Sequence, residues 1–141
     1  MWHENAATRK RGGDQAEDLF TKEVRCHCGG CFACIGNLQP GFPDFTCDNC
    51  GQLVDVKSSP QAEQTGNLAV SAVPWSHYPY NTLLATKING EWIGEYKLHI
   101  SVKNPTAYSA THRSRATKFH LISWKPFRKL TEIGYQVIQF S

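Results

Sequence analysis

With 141 residues, 40% of them apolar and 11% aromatic, the chain has the length of one domain and enough hydrophobic side chains for one core. No run of about 18 apolar residues is present to cross a bilayer, and Met1 to Gly13 lacks the apolar stretch of a secretory signal, so a soluble, cytoplasmic protein is expected. All six cysteines lie between Cys26 and Cys50, and nothing directs the chain to an oxidising compartment, which points to metal ligation and away from disulfides.

The net charge of +3 is unevenly spread. Up to Glu95 the chain is acidic overall, whereas Tyr96 to Thr131 holds no Asp or Glu but carries Lys97, Lys103, Arg113, Arg115, Lys118, Lys125, Arg128 and Lys129. A stretch of one sign suits a phosphate backbone, so DNA is the expected partner, with Arg113, Arg115 and Lys118 as candidate contacts.

In chain order, residues 1–13 hold Arg9, Lys10 and Arg11 among few apolar side chains and read as a flexible basic arm. Asp14 is placed to cap a helix from Gln15 to about Val24, with Ala16, Leu19, Phe20 and Val24 near helical spacing. The Cys, Gly and Pro density from Cys26 to Gly51 excludes long elements, leaving room for a short strand over Pro43 to Thr46. Leu53 to Ser58 alternates with period 2, which puts Leu53, Asp55 and Lys57 on one strand face and Val54 and Val56 on the other.

A polar connector, Ser59 to Asn67, leads into expected strands over Leu68 to Val73, Thr82 to Ile88, Glu91 to Ile100 and Phe119 to Trp124. Asn89-Gly90 is a hairpin turn signal. Asn104 to Thr117 reads as a polar, basic loop, and Gly134 to Phe140 as an edge strand. The fold class is therefore α+β: residues 14–141 as a single domain with a mixed β-sheet and a flanking short helix.

Cys47-Asp48-Asn49-Cys50-Gly51 is a knuckle whose glycine lets the turn tighten, so that backbone N–H groups point at sulfur. Two further ligands complete a tetrahedral zinc site. Cys26 and Cys28, followed by Gly29 and Gly30, form a similar glycine-closed turn and are preferred, with Cys31 and Cys34 as alternates that would otherwise be buried small hydrophobes or free thiols. Closed cysteine pairs leave no vacant position, so the zinc would be structural.

Pro43-Asp44 precedes this knuckle, and Asp55-Val56-Lys57 follows it. On adjacent strands Asp44 and Asp55 can converge on one hard cation, magnesium or manganese, to which the Val56 carbonyl can add an oxygen. Lys57, on the face of Asp55, can orient an attacking water and balance charge on a phosphate.

This order reproduces the PD-(D/E)xK nuclease motif. The pattern D-F-x-C-x-x-C, four residues, then an acid, x, Lys and Ser resembles the catalytic domain of zinc-containing restriction endonucleases that cut adenine-methylated GATC sites. The resemblance runs from Glu17 to Ser59. It implies a PD-(D/E)xK-type nuclease domain with a zinc-bound four-cysteine hairpin insertion, and supports Cys26, Cys28, Cys47 and Cys50 as the ligand set. It also matches Glu17-Asp18-Leu19-Phe20 to a helix before the knuckle, making Glu17 the helix glutamate directed at the metal site.

The pattern departs in its first knuckle, C-x-C in place of C-x-x-C, and in having no counterpart of those enzymes' separate carboxy-terminal DNA-reading domain; methyl-adenine specificity does not carry over. The activity expected is a magnesium-dependent endodeoxyribonuclease, as in a stand-alone module of a phage or bacterium, with a homodimer as one arrangement for cutting two strands. The competing expectation is a non-catalytic zinc-ribbon nucleic-acid-binding protein, using Arg113, Arg115, Lys118 and stacking aromatics such as Trp75, Tyr78 and Trp124.

Overall fold

A computed structural model describes residues 15–35, 42–58, 62–102, 104–108 and 118–138. The basic arm over residues 1–13, the cap residue Asp14, and Lys103, Arg113 and Arg115 lie outside the described residues.

Residues 15–23 form helix α1. Its spacing of four brings Ala16 and Phe20 onto the core, with Phe20 fully buried; Leu19, one helical step around from Phe20, is left exposed. The helix stops one residue short of the expected end. Val24–Arg25 is instead a short strand, β1, which pairs antiparallel with β11, Gln136–Val137. That pairing replaces the longer carboxy-terminal edge strand expected from alternation; residues 139–141 are outside the described set.

The main sheet runs in the order β10-β7-β6-β4-β3-β2. Its members are β2 (Phe32–Cys34), β3 (Phe45–Cys47), β4 (Leu53–Lys57), β6 (Leu83–Ile88), β7 (Glu91–Tyr96) and β10 (Arg128–Lys129). Asn89 and Gly90 close the β6–β7 hairpin with φ of 51° and 80°, the paired left-handed geometry that this dipeptide favours. The sheet is mixed: β3 and β4 are antiparallel, whereas β4 and β6 are parallel.

A parallel pair needs a crossover. Here it carries α2 (Ala62–Thr65), inside what reads in sequence as a polar connector, then β5 (Asn67–Ser71) and α3 (Ala72–His77). The strand expected to reach Val73 ends at Ser71, because Pro74 falls in the first turn of α3, where a proline is tolerated. The strand expected to reach Ile100 ends at Tyr96 and passes into a 3-10 turn, Lys97–His99. The basic segment expected to be a loop begins with β8 (Asn104–Tyr108), which joins β9 (Lys118–Ser123) and β5 in a second sheet, ordered β5-β9-β8.

The main sheet buries both faces. Val54, Val56, Leu83 and Ala85 pack with Phe20, Val24, Phe32, Phe45, Trp92, Leu130 and Tyr135, together with Cys26 and Cys47. On the other face Leu84 and Ile88 pack with Leu68, Val70 and Ile122 of the second sheet and with Trp75 and Tyr78 at α3. Asp55 pairs in register with Leu84 and so belongs to this second face. Among the described residues no helix is long and apolar enough to cross a membrane.

Candidate active site

The β3–β4 hairpin organises two centres, with Cys47 three residues, about 10 Å of extended chain, beyond Asp44. Its turn carries the cysteine knuckle and its open end the carboxylates.

At the turn, Gly51 takes φ of 80° and donates its N–H to the Cys47 carbonyl at 3.1 Å, while the N–H groups of Asn49 and Cys50 point at Cys47 Sγ from 3.4 and 3.5 Å. The Cys26-His27-Cys28-Gly29 turn is built alike: Gly29, with φ of 88°, donates to the Cys26 carbonyl at 2.8 Å. Gly30 then passes so close that an added Cβ would lie 2.7 Å from Cys47 Sγ. The two turns bring Cys26 Sγ to 3.5 Å from Cys50 Sγ and Cys28 Sγ to 3.4 Å from Cys47 Sγ, with all four sulfurs within 4.8 Å of one another. Tetrahedral zinc with Zn–S near 2.3 Å sets its sulfurs about 3.8 Å apart, so four thiolates so placed could bind a metal such as zinc.

Cys31 and Cys34 lie outside this cluster and are exposed free thiols, not buried apolar fillers. Burial pushes the Cys26 thiol up, whereas hydrogen bonds from Asn49 and Gly30 draw exposed Cys28 down to about 6.

At the open end, Phe45 pairs with Val54 and Thr46 with Leu53. Extending that register by one residue sets Asp44 opposite Asp55, on the same face of the ribbon. Asp44 Oδ2 accepts the Val56 N–H at 3.0 Å. Val56, expected to lend its carbonyl oxygen, is thus seen here through its N–H. Asp55 is 1% exposed; its Oδ1 accepts the Tyr78 hydroxyl at 3.2 Å, and its Oδ2 lies 3.1 Å from Lys57 Nζ. Among the described residues, Lys57 is the one partner of Oδ2.

Burial first, then the charge of Asp55, with a smaller push from Glu17, raises the Asp44 carboxyl to about 7 against the Val56 N–H and the Lys57 charge. Burial works against the Lys57 ammonium, but Asp55, Asp44 and Glu17 outweigh it and hold its pKa above the ordinary value. Glu17, on α1, therefore acts electrostatically on the same cluster. Asp44, Asp55 and Lys57 meet at one place, and Glu17, 40 positions before Lys57 in sequence, reaches them through its charge.

Tyr78 is the participant that sequence reasoning missed. It was expected only as a stacking aromatic of a nucleic-acid binder, and no local spacing ties it to Asp55; the one available signal was that a buried tyrosine needs a partner for its hydroxyl. Tyr78 and Trp75 are core residues, and Trp124 is half-buried with its Nε1–H committed to the Ala62 carbonyl at 2.6 Å. Packing against the second core thus removes these rings from the solvent-facing stacking surface expected of them.

The basic strip is likewise reduced. Lys97 donates to the carbonyls of Trp75 and Tyr78, Arg128 grips Glu95 through two bonds of 3.1 and 2.8 Å, and Lys129 sits 3.6 Å from Glu91. Sheet pairing supplies the acids that this stretch lacks in sequence. Lys118 and Lys125 are exposed. A cavity of about 420 Å³ lined by Glu23, Lys87, Trp92 and Lys129 touches none of the carboxylate-site residues, and its Glu23 is occupied by Lys87 Nζ and Trp92 Nε1, each at 2.8 Å.

Comparison with protein-family models, with curated proteins and with solved structures yields no match to this chain.

Proposed function

We propose that this chain is a divalent-metal-dependent DNA endonuclease that hydrolyses phosphodiester bonds with a PD-(D/E)xK active site, and that its cysteine centre holds a structural zinc. The observation that carries the reading is Asp55 Oδ2: an almost wholly buried carboxylate oxygen whose one partner among the described residues is the Lys57 ammonium at 3.1 Å, with a second carboxylate beside it. Negative charge so concentrated away from water calls for a cation. Asp44 and Asp55 would hold magnesium or manganese, with Glu17 adding negative potential. Such an ion supplies Lewis-acid polarisation of the scissile phosphate and acidifies water.

The chain's own groups then have separate tasks. Lys57 orients the attacking water and offsets charge on the phosphate. Asp44, with its raised pKa, gives up a proton when a cation takes its place, so cation binding strengthens as pH rises. The exposed basic side chains, Lys118 and Lys125 among the described residues, would meet the phosphate backbone.

The test is Asp55→Asn beside wild type on plasmid, single-stranded and junction DNA with magnesium or manganese. The Tyr78 bond survives in an amide, so folding and zinc content are expected to hold while cleavage falls by roughly two orders of magnitude or more. Full cleavage by the variant would remove the active-site assignment. DNA binding without cleavage by either protein would favour the non-catalytic zinc-ribbon binder.

A further inference from the structure

We propose that Tyr78 is a positioning residue for the cation site, fixing the plane of the Asp55 carboxylate so that Oδ2 faces the cation; this rests on the carboxylate-site reading above. An aspartate's terminal torsion is broad and nearly two-fold, so the strand backbone of β4 does not by itself set which oxygen points where. A donor on Oδ1 does.

Tyr78 is held for that task from three sides. Its N–H reaches the carbonyls of Pro74 and Trp75 at 3.2 Å, closing α3. Its own carbonyl, with that of Trp75, accepts Lys97 Nζ at 2.8 and 2.6 Å, a cation at the carbonyl end of a helix. The residue is 8% exposed, and its ring meets Trp75 edge-on at 6.1 Å. A phenol has a single proton to donate, and here it goes to Asp55 Oδ1 at 3.2 Å. Among the described residues Oδ2 is left with the Lys57 ammonium alone, at 3.1 Å. The crossover that forces β4 and β6 to run parallel is what delivers this hydroxyl to the carboxylate.

A fixed carboxylate should matter most to the ion with the strictest geometry. Magnesium demands near-ideal octahedral ligands, whereas calcium accepts longer, irregular and bidentate contacts. Tyr78→Phe removes only the hydroxyl and frees Oδ1, so magnesium should lose affinity while calcium keeps or gains it.

The experiment uses zinc-loaded protein, with manganese binding followed by electron paramagnetic resonance and displaced by magnesium or by calcium. The expected result is a fall of about 10-fold in the magnesium-to-calcium affinity ratio in Tyr78→Phe, with zinc content unchanged. Trp75→Phe loosens the same core but keeps an aromatic ring against Tyr78, so the donor stays in place and the ratio should remain as in wild type. An unchanged ratio in Tyr78→Phe overturns the proposal, as does an equal fall in Trp75→Phe, which would make core packing the cause. If Tyr78→Phe does not fold, Lys97→Met is read in its place: a lowered ratio supports the proposal and an unchanged one overturns it. Absence of manganese binding by wild type would instead remove the carboxylate-site reading itself, and this inference with it.

Discussion

Replacing Asp44 by Asn should flatten the pH dependence of stability in the protein free of magnesium and manganese. The Asp44 carboxyl rises from its ordinary 3.8 to about 7 on folding, chiefly through burial and then the Asp55 charge. Because the folded-state pKa is the higher one, the contribution to stability is complete below pH 3.8 and is lost as pH climbs through about 7. Between pH 5.5 and 7 the wild type would lose up to about 2 kcal/mol by this route, at about 1.4 kcal/mol per pH unit. Asp44 is only partly buried, and solvent screening reduces the figure to about 1 kcal/mol.

Asparagine keeps an acceptor for the Val56 N–H and cannot ionise. Thermal unfolding of zinc-loaded wild type and Asp44→Asn, scanned from pH 5.5 to 8 so that protons do not displace the zinc, should therefore diverge. The wild type should lose about 3–5 °C of Tm relative to the variant over this range. Added magnesium should restore stability to the wild type alone at pH 8, by mass action on the folded state. Parallel curves for the two proteins would refute the burial and charge argument for Asp44.

Cys47→Ser should disrupt the sulfur cluster at its most connected member, lowering zinc content, stability and cleavage together, since ligation free energy is part of folding free energy in a domain of this size; metal analysis with thermal unfolding checks it, and undiminished zinc would refute it. Replacing Arg113, Arg115 and Lys118 together by Ala should weaken DNA binding and lower the slope of log affinity against log salt by up to about 3, read by titration at several salt concentrations; an unchanged slope would assign these side chains to ordinary surface.

What the sequence determined by itself is local and periodic. In an antiparallel hairpin, residues equidistant from the turn face each other, so placing Asp44 and Asp55 on either side of the Cys47–Cys50 knuckle already implied that they meet. Period 2 put Lys57 with Asp55, and Asn89-Gly90 specified its own turn. Helical spacing found α1 but not its end, because Val24 is claimed by a strand pairing with Val137, 113 positions away.

Tertiary structure decided the choices between chemically equivalent partners. Cys26 and Cys28 join Cys47 and Cys50 in the sulfur cluster while Cys31 and Cys34 do not, since β2 starts at Phe32, paired with Cys47, and Cys31 just before it and Cys34 at its end remain exposed. Lys97, Arg128 and Lys129 read as an unopposed basic strip until neighbouring strands and α3 supplied their carbonyls and acids. Tyr78 met Asp55 only because parallel pairing of β4 and β6 carried α3 across the sheet. Register and period are short-range constraints of backbone geometry and can be read from spacing. Which distant group satisfies a buried polar atom depends on how the chain crosses itself, and no local pattern records that.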